Sequence, residues 1–107
     1  MPRHNLRRLA TLETPSEAPD GAGGFTDSWL ELARHWVALL PSSGSEVHEA
    51  SRDTPRISHR ILLRCPRSLR PRSDQRFRIG ARQFDIRAVF DRDGRGRFLT
   101  CLVEERV

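Results

Sequence analysis

At 107 residues the chain is one domain, long enough to bury about two-thirds of its unfolded surface. Its hydrophobic fraction of 36% is low for a lone globular domain and its charged fraction reaches 31%, so neighbours are expected to complete part of its surface. No stretch approaches the roughly 18 apolar residues of a transmembrane helix, which excludes a helical membrane span.

The formal net charge is +5, and all 19 basic residues are Arg, with no Lys and no Tyr. Arg suits bidentate contacts with carboxylate or phosphate, although GC-rich coding gives the same bias. Residues 1–50 hold four Arg against seven acids, and residues 51–107 hold fifteen against seven, nets of −3 and +8. Such asymmetry fits a nucleic acid, an acidic protein partner or the solvated face of a ring-forming subunit. Cys65 and Cys101 are 36 residues apart with no CxxC spacing and the four His are scattered, so buried free thiols are expected, with a disulfide as the alternative, and no metal centre. Met1 to Arg8 is charged with no apolar segment behind it, which reads as a soluble chain without a leader.

Leu6 to Glu13 alternates as a strand, with Leu6, Ala10 and Leu12 on one side and Arg7, Leu9 and Thr11 on the other. Thr14 to Gly24 has two Pro and three Gly in eleven residues, which predicts a mobile loop or arm rather than a strand ladder. Phe25 to Leu40 reads two ways. As a helix, Trp29, Leu32, Ala33, Trp36, Val37 and Leu40 form an apolar stripe. As a strand, Trp29, Glu31, Ala33, His35 and Val37 share one face, and Leu30, Leu32, Trp36 and Ala38 the other. Periodicity prefers the helix, whereas the flanking context favours the strand.

Ser43-Gly44-Ser45-Glu46 matches the S-x-x-E capping box, so a short helix is expected from Gly44 to about Arg52, ended by Thr54-Pro55. From Ile57 the period becomes two, with Ile57, His59, Ile61, Leu63 and Cys65 inward. After the Arg- and Pro-rich loop Pro66–Ser73, strands are expected at Gln75–Ile79 and Arg82–Asp91, with Phe84, Ile86, Ala88 and Phe90 on one face. Asp91 to Gly96 is a hairpin turn and Phe98 to Glu105 the return strand. The fold class expected is mainly β, a small antiparallel barrel or sandwich with one short α-helix and long loops.

No catalytic constellation emerges, and neither a catalytic, a cofactor nor a metal site is expected. His35 and His59 lie on apolar-patterned faces, where packed imidazoles are the rule. Asp91 and Asp93 lack the rest of a calcium loop, and Gly94 and Gly96 precede no helix. The alternative to a structural role is a small basic β-barrel that binds nucleic acid, with Arg60, Arg64, Arg67, Arg70, Arg72, Arg76 and Arg78 along the phosphates. Against it, Phe77, Phe84 and Phe90 fall on core-facing positions and leave no stacking platform.

The ordered motifs resemble a known family. Leu6-Arg7, the Pro/Gly-rich arm, Gly24-Phe25-Thr26 before Trp29, Trp36-Val37-Ala38 and Ser43-Gly44-Ser45-Glu46 with Ala50 come first. His59-Arg60-Ile61, Arg76 before Phe77, Phe84-Asp85-Ile86, Asp91-Arg92-Asp93-Gly94-Arg95 and Cys101-x-x-Glu104-Glu105 follow. Together they resemble the phage head–tail joining proteins, also called head-completion, head-closure or stopper proteins, over nearly the whole chain. The Arg-rich Pro66–Arg72 loop and the lack of Lys and Tyr depart from that pattern.

The resemblance favours the strand for Phe25–Leu40 and implies one connector β-barrel over residues 1–107. It implies a homo-oligomeric ring, a hexamer, in the neck of a virion assembled in the host cytoplasm. The portal or adaptor would lie above, the tail terminator or tail tube below, and packaged DNA in the channel, with no membrane and no cofactor. The candidate channel loop is Pro41–Arg56, carrying Ser43, Gly44, Ser45, Glu46, His48, Glu49 and Arg52. The arm Thr14–Gly24 would reach a neighbouring subunit or the adaptor. Candidate subunit or partner contacts are Asp20, Phe25, Arg60, Arg64, Arg76 and Arg78, the acidic first half of one subunit facing the Arg-rich second half of the next.

Overall fold

The computed structural model describes residues 6–42, 57–64, 70–91 and 98–106. These form six strands: β1 (Arg8–Pro19), β2 (Phe25–Pro41), β3 (His59–Arg64), β4 (Arg76–Ile79), β5 (Arg82–Phe90) and β6 (Phe98–Arg106). All pairings are antiparallel, and the order β1-β2-β3-β6-β5-β4 closes into a barrel where β1 meets β4 at Thr11–Glu13. None of the described residues is helical. The short helix expected from Gly44 to Arg52 lies outside the described residues, as do Cys65 and most of the Asp91–Gly96 turn.

The core follows from the period-two pattern. Ala10 and Leu12 of β1, Val37 of β2 and Ile61 and Leu63 of β3 are buried. So are Phe77 of β4, Phe84 and Ile86 of β5 and Cys101 and Val103 of β6. Phe77 and Phe84 sit opposite one another and fill the centre. Cys101 is a buried free thiol. Gly80, at φ 60°, makes the tight turn from β4 to β5 in a conformation that costs other residues about 1–2 kcal/mol.

Two bulges re-aim the alternation. β5 carries one extra residue, Arg87, between the rungs Ile86↔Val103 and Ala88↔Leu102. The phase shifts there, so Val89 packs on the core where simple alternation had put Ala88. β2 carries one extra residue, Leu32, opposite the step from Leu12 to Glu13. Ala33, His35 and Val37 continue the barrel's inner face. Beyond the bulge Glu31 and Trp29 turn to the outer face, beside Glu13 and Pro15.

The Pro/Gly-rich stretch corrects the sequence expectation. Thr14 to Pro19 pairs rung for rung with Phe25 to Leu30, and only Asp20–Gly24 forms the connecting turn. The bond from Asp20 N–H to the Gly24 carbonyl sets the alternation. It places Pro15 and Pro19 at rungs whose backbone nitrogens point away from β2, so neither proline breaks the ladder. β4 reaches β1 only at Thr11–Glu13 and β3 reaches β2 only from Val37 on. The six rungs from Thr14↔Leu30 to Pro19↔Phe25 are therefore a two-stranded arm outside the barrel, about 20 Å long at strand rise. The molecule is correspondingly elongated, 53 × 30 × 25 Å.

Candidate assembly surface

The arm is built from its tip. Asp20 Oδ1 accepts the N–H groups of Ala22 at 2.7 Å and Gly24 at 3.0 Å, and these bonds hold its carboxyl below the usual carboxylate range. Gly21 and Gly23 take φ of 81° and 88°, which suits them to this turn. Asp20 is thus first a turn-forming residue. Phe25, the next candidate contact, is highly exposed at the tip. Further down, Ser28 Oγ donates to the Ser16 carbonyl across the arm.

The root of the arm is latched to the barrel wall. Glu13 is only 7% exposed; it accepts from Arg76 Nε at 2.7 Å and Arg78 Nε at 3.3 Å. The Arg76 guanidinium also lies over the Trp29 ring, 4.0 Å from its centroid, and donates to Gln83 Oε1. One arginine therefore joins β4, both strands of the arm and β5. Pro15, Glu17, Asp27 and Trp29 face Arg106 of β6 across an open groove.

Arg76 and Arg78, expected to meet acids of another subunit, are thus engaged by Glu13 of their own chain. Most other described arginines pair internally as well. Arg82 grips Glu105 through two bonds of 2.7 and 2.9 Å, which holds the Glu105 carboxyl below its ordinary range. Arg87 bonds Glu104, and Arg106 bonds Asp85. Arg70 and Arg72 meet Asp91 and Asp74 at 3.8 and 3.5 Å. Among the described residues these pairs form a lattice of alternating charge on the exterior. Arg64 lies over the Phe98 ring at 5.1 Å and Arg60 is half-buried.

The two described histidines, His35 and His59, are packed. His59 meets Phe84 edge-on at 5.5 Å and its Nδ1 pairs with Ser58 Oγ. His35 is half-buried on the inner face of β2; burial lowers its pKa, and its Nε2 has no hydrogen-bond partner among the described residues. No group of His, Cys, Asp or Glu among the described residues is arranged to hold a metal. Nor is any described helix long and apolar enough to cross a membrane. The candidate channel residues Ser43, Gly44, Ser45, Glu46, His48, Glu49 and Arg52 lie outside the described residues.

What sequence reasoning missed is the exposed apolar surface of β1 and β2. Leu9 and Trp36 face each other across a rung and are 43% and 58% exposed. Leu30 and Leu32 are also open to solvent. The signal was the helix-like apolar spacing itself, which a half-buried strand does not need.

A search of the curated proteins found no match. A solution structure of protein SF1141 from Shigella flexneri 2a is similar in fold, with a TM-score of 0.71 at 19% identity over 92% of this chain and 91% of that one. A chain of the virion of a native gene transfer agent particle is 36% identical, with a TM-score of 0.67, over 100% of this chain and 99% of that one. The family model for the phage head completion protein matches residues 1–106, so this chain, an antiparallel barrel with a latched arm, belongs to the phage head completion proteins.

Proposed function

We propose that the chain is a structural virion component at the head–tail joint. The observation that carries this reading is the family match over residues 1–106, supported by full-length likeness to a virion chain. In this reading the chain forms a homo-oligomeric ring, a hexamer, below the portal or adaptor. The ring closes the DNA channel and presents a docking surface for the tail. The loop Pro41–Arg56 projects toward the channel, and the arm reaches a neighbour. Asp20 and Phe25 at the arm's tip and Arg60 and Arg64 on β3 serve as contacts; Arg76 and Arg78 act mainly by fixing the arm's root.

The exposed apolar residues support an assembled state, because a solitary subunit leaves Trp36 and Leu30 in water. The internally paired arginines weigh against the nucleic-acid module. The test is reconstitution: heads filled with DNA in the absence of this chain are mixed with purified chain and tails. Tail attachment that depends on the added chain is the expected result. Tails that join equally well without it would contradict the reading.

A further inference from the structure

The arm has two edges of different character. On β1 the residues whose backbone groups face outward are Pro15, Glu17 and Pro19, so two of three positions lack a donor. On β2 the outward-facing residues Phe25, Asp27 and Trp29 keep both N–H and C=O. Among the described residues no strand pairs with the edge of β2 away from β1 between Phe25 and Trp36. Proteins commonly guard such edges with proline, bulges or charge; proline blocks the β1 edge, whereas the β2 edge carries the acids Asp27 and Glu31, which a basic strand would offset. The β2 edge thus keeps the backbone donors and acceptors that an added strand would need.

Charge identifies that strand. Residues 9–33 carry Glu13, Glu17, Asp20, Asp27 and Glu31 and no Arg. Residues 2–8 carry Arg3, Arg7 and Arg8 and no acid. Arg3 and Arg7 are four residues apart, as are Asp27 and Glu31 on the outer face of β2, so paired strands can set both Arg against both acids. Arg7 and Asp27 are exposed, and neither forms an ion pair among the described residues; Glu31 has only a 3.4 Å surface contact with Arg34.

The full pairing, with both Arg against both acids, cannot form within one chain. Arg8 pairs with Val37 at the root, ten residues of β2 from Asp27, or about 34 Å. Seven residues doubling back from Arg8 span at most about 25 Å.

We propose that the β2 edge of the arm, from Phe25 to Glu31, accepts residues 2–8 of a second copy of this chain as an added strand, with Arg3 and Arg7 of that copy opposite Asp27 and Glu31. This deepens the ring reading and rests on it. Donor and acceptor lie at opposite ends of the β1–β2 hairpin, so the contact is head-to-tail and propagates until a rotation closes it.

The test is a charge-swap complementation with the full chain, read as assembly mass by sedimentation and native mass spectrometry. One variant carries Arg3→Glu and Arg7→Glu, the other Asp27→Arg and Glu31→Arg. Arg7, Asp27 and Glu31 are exposed, and thermal melts matching the wild type confirm folding. The wild type is expected to self-associate and each variant alone to do so at least tenfold more weakly. An equimolar mixture should regain assembly, because each variant's donor then matches the other's acceptor. A variant that assembles like the wild type, a mixture that stays monomeric, or a wild type that stays monomeric at high micromolar concentration would overturn the docking. The head–tail role is scored separately, by tail attachment in the reconstitution.

Discussion

At the scale of single residues, Glu13 carries the largest local consequence. Its carboxylate is nearly buried between two guanidinium groups at the step where β2 bulges and the arm leaves the barrel. Glu13→Gln keeps the shape but sets amide hydrogens against arginine donors. It should cost about 2 kcal/mol, the scale of a hydrogen bond to a charged group. Urea titration checks this, and an unchanged midpoint would remove Glu13 from its structural role.

His35 predicts a pH dependence. Burial depresses its pKa, so the folded chain binds the proton less readily than the unfolded chain. Its contribution is complete above the ordinary imidazole range and is lost as pH falls from about 6.5 through the depressed folded value. His35→Gln should flatten that part of the curve of melting temperature against pH. Glu105, held below its ordinary range by Arg82, has the same sign at lower pH: its contribution persists above the usual carboxylate range and fades as pH falls through the depressed value.

At the scale of elements, the arm's attachment depends on the stack of Arg76 on Trp29. Trp29→Ala should leave the barrel's melting transition within about 1 kcal/mol, since the ring lies outside the core. Amide exchange at Ser16, Ser28 and Leu30 should become much faster. Unaltered exchange would mean that rung pairing alone fixes the arm.

The arm was also the element least legible in the sequence. Proline count argued against a ladder at Thr14–Pro19, but what matters is which rungs the prolines occupy, and that depends on the Asp20–Gly24 bond. On β2 the inserted Leu32 moved Trp29 and Glu31 to the opposite face from Ala33, His35 and Val37, so the apolar spacing imitated a helix. Apart from the Arg87 bulge, which put Val89 on the core in place of Ala88, alternation elsewhere was undisturbed and inward positions were readable: Ala10 and Leu12, Ile61 and Leu63, Phe84 and Ile86. The pairing of Arg76 and Arg78 with Glu13 joins positions more than sixty residues apart, and no local pattern records such a contact.

At the scale of the whole molecule, charge asymmetry along the sequence does not become a basic face among the described residues. Carboxylates of β1, β5 and β6 neutralise arginines of β4, β5 and β6, so few of the described cations remain to displace ions from a phosphate backbone. The isolated chain should therefore not retard single-stranded DNA near 0.15 M salt, roughly physiological strength. Retardation that weakens steeply with salt would favour the nucleic-acid module instead.

The virion role itself is tested most directly by electron microscopy of particles made in cells from which this reading frame has been deleted. The account predicts heads, DNA-filled or leaking, beside unattached tails, and restoration of joined particles when the frame is supplied in trans. Normal tailed particles in the deletion strain would contradict it.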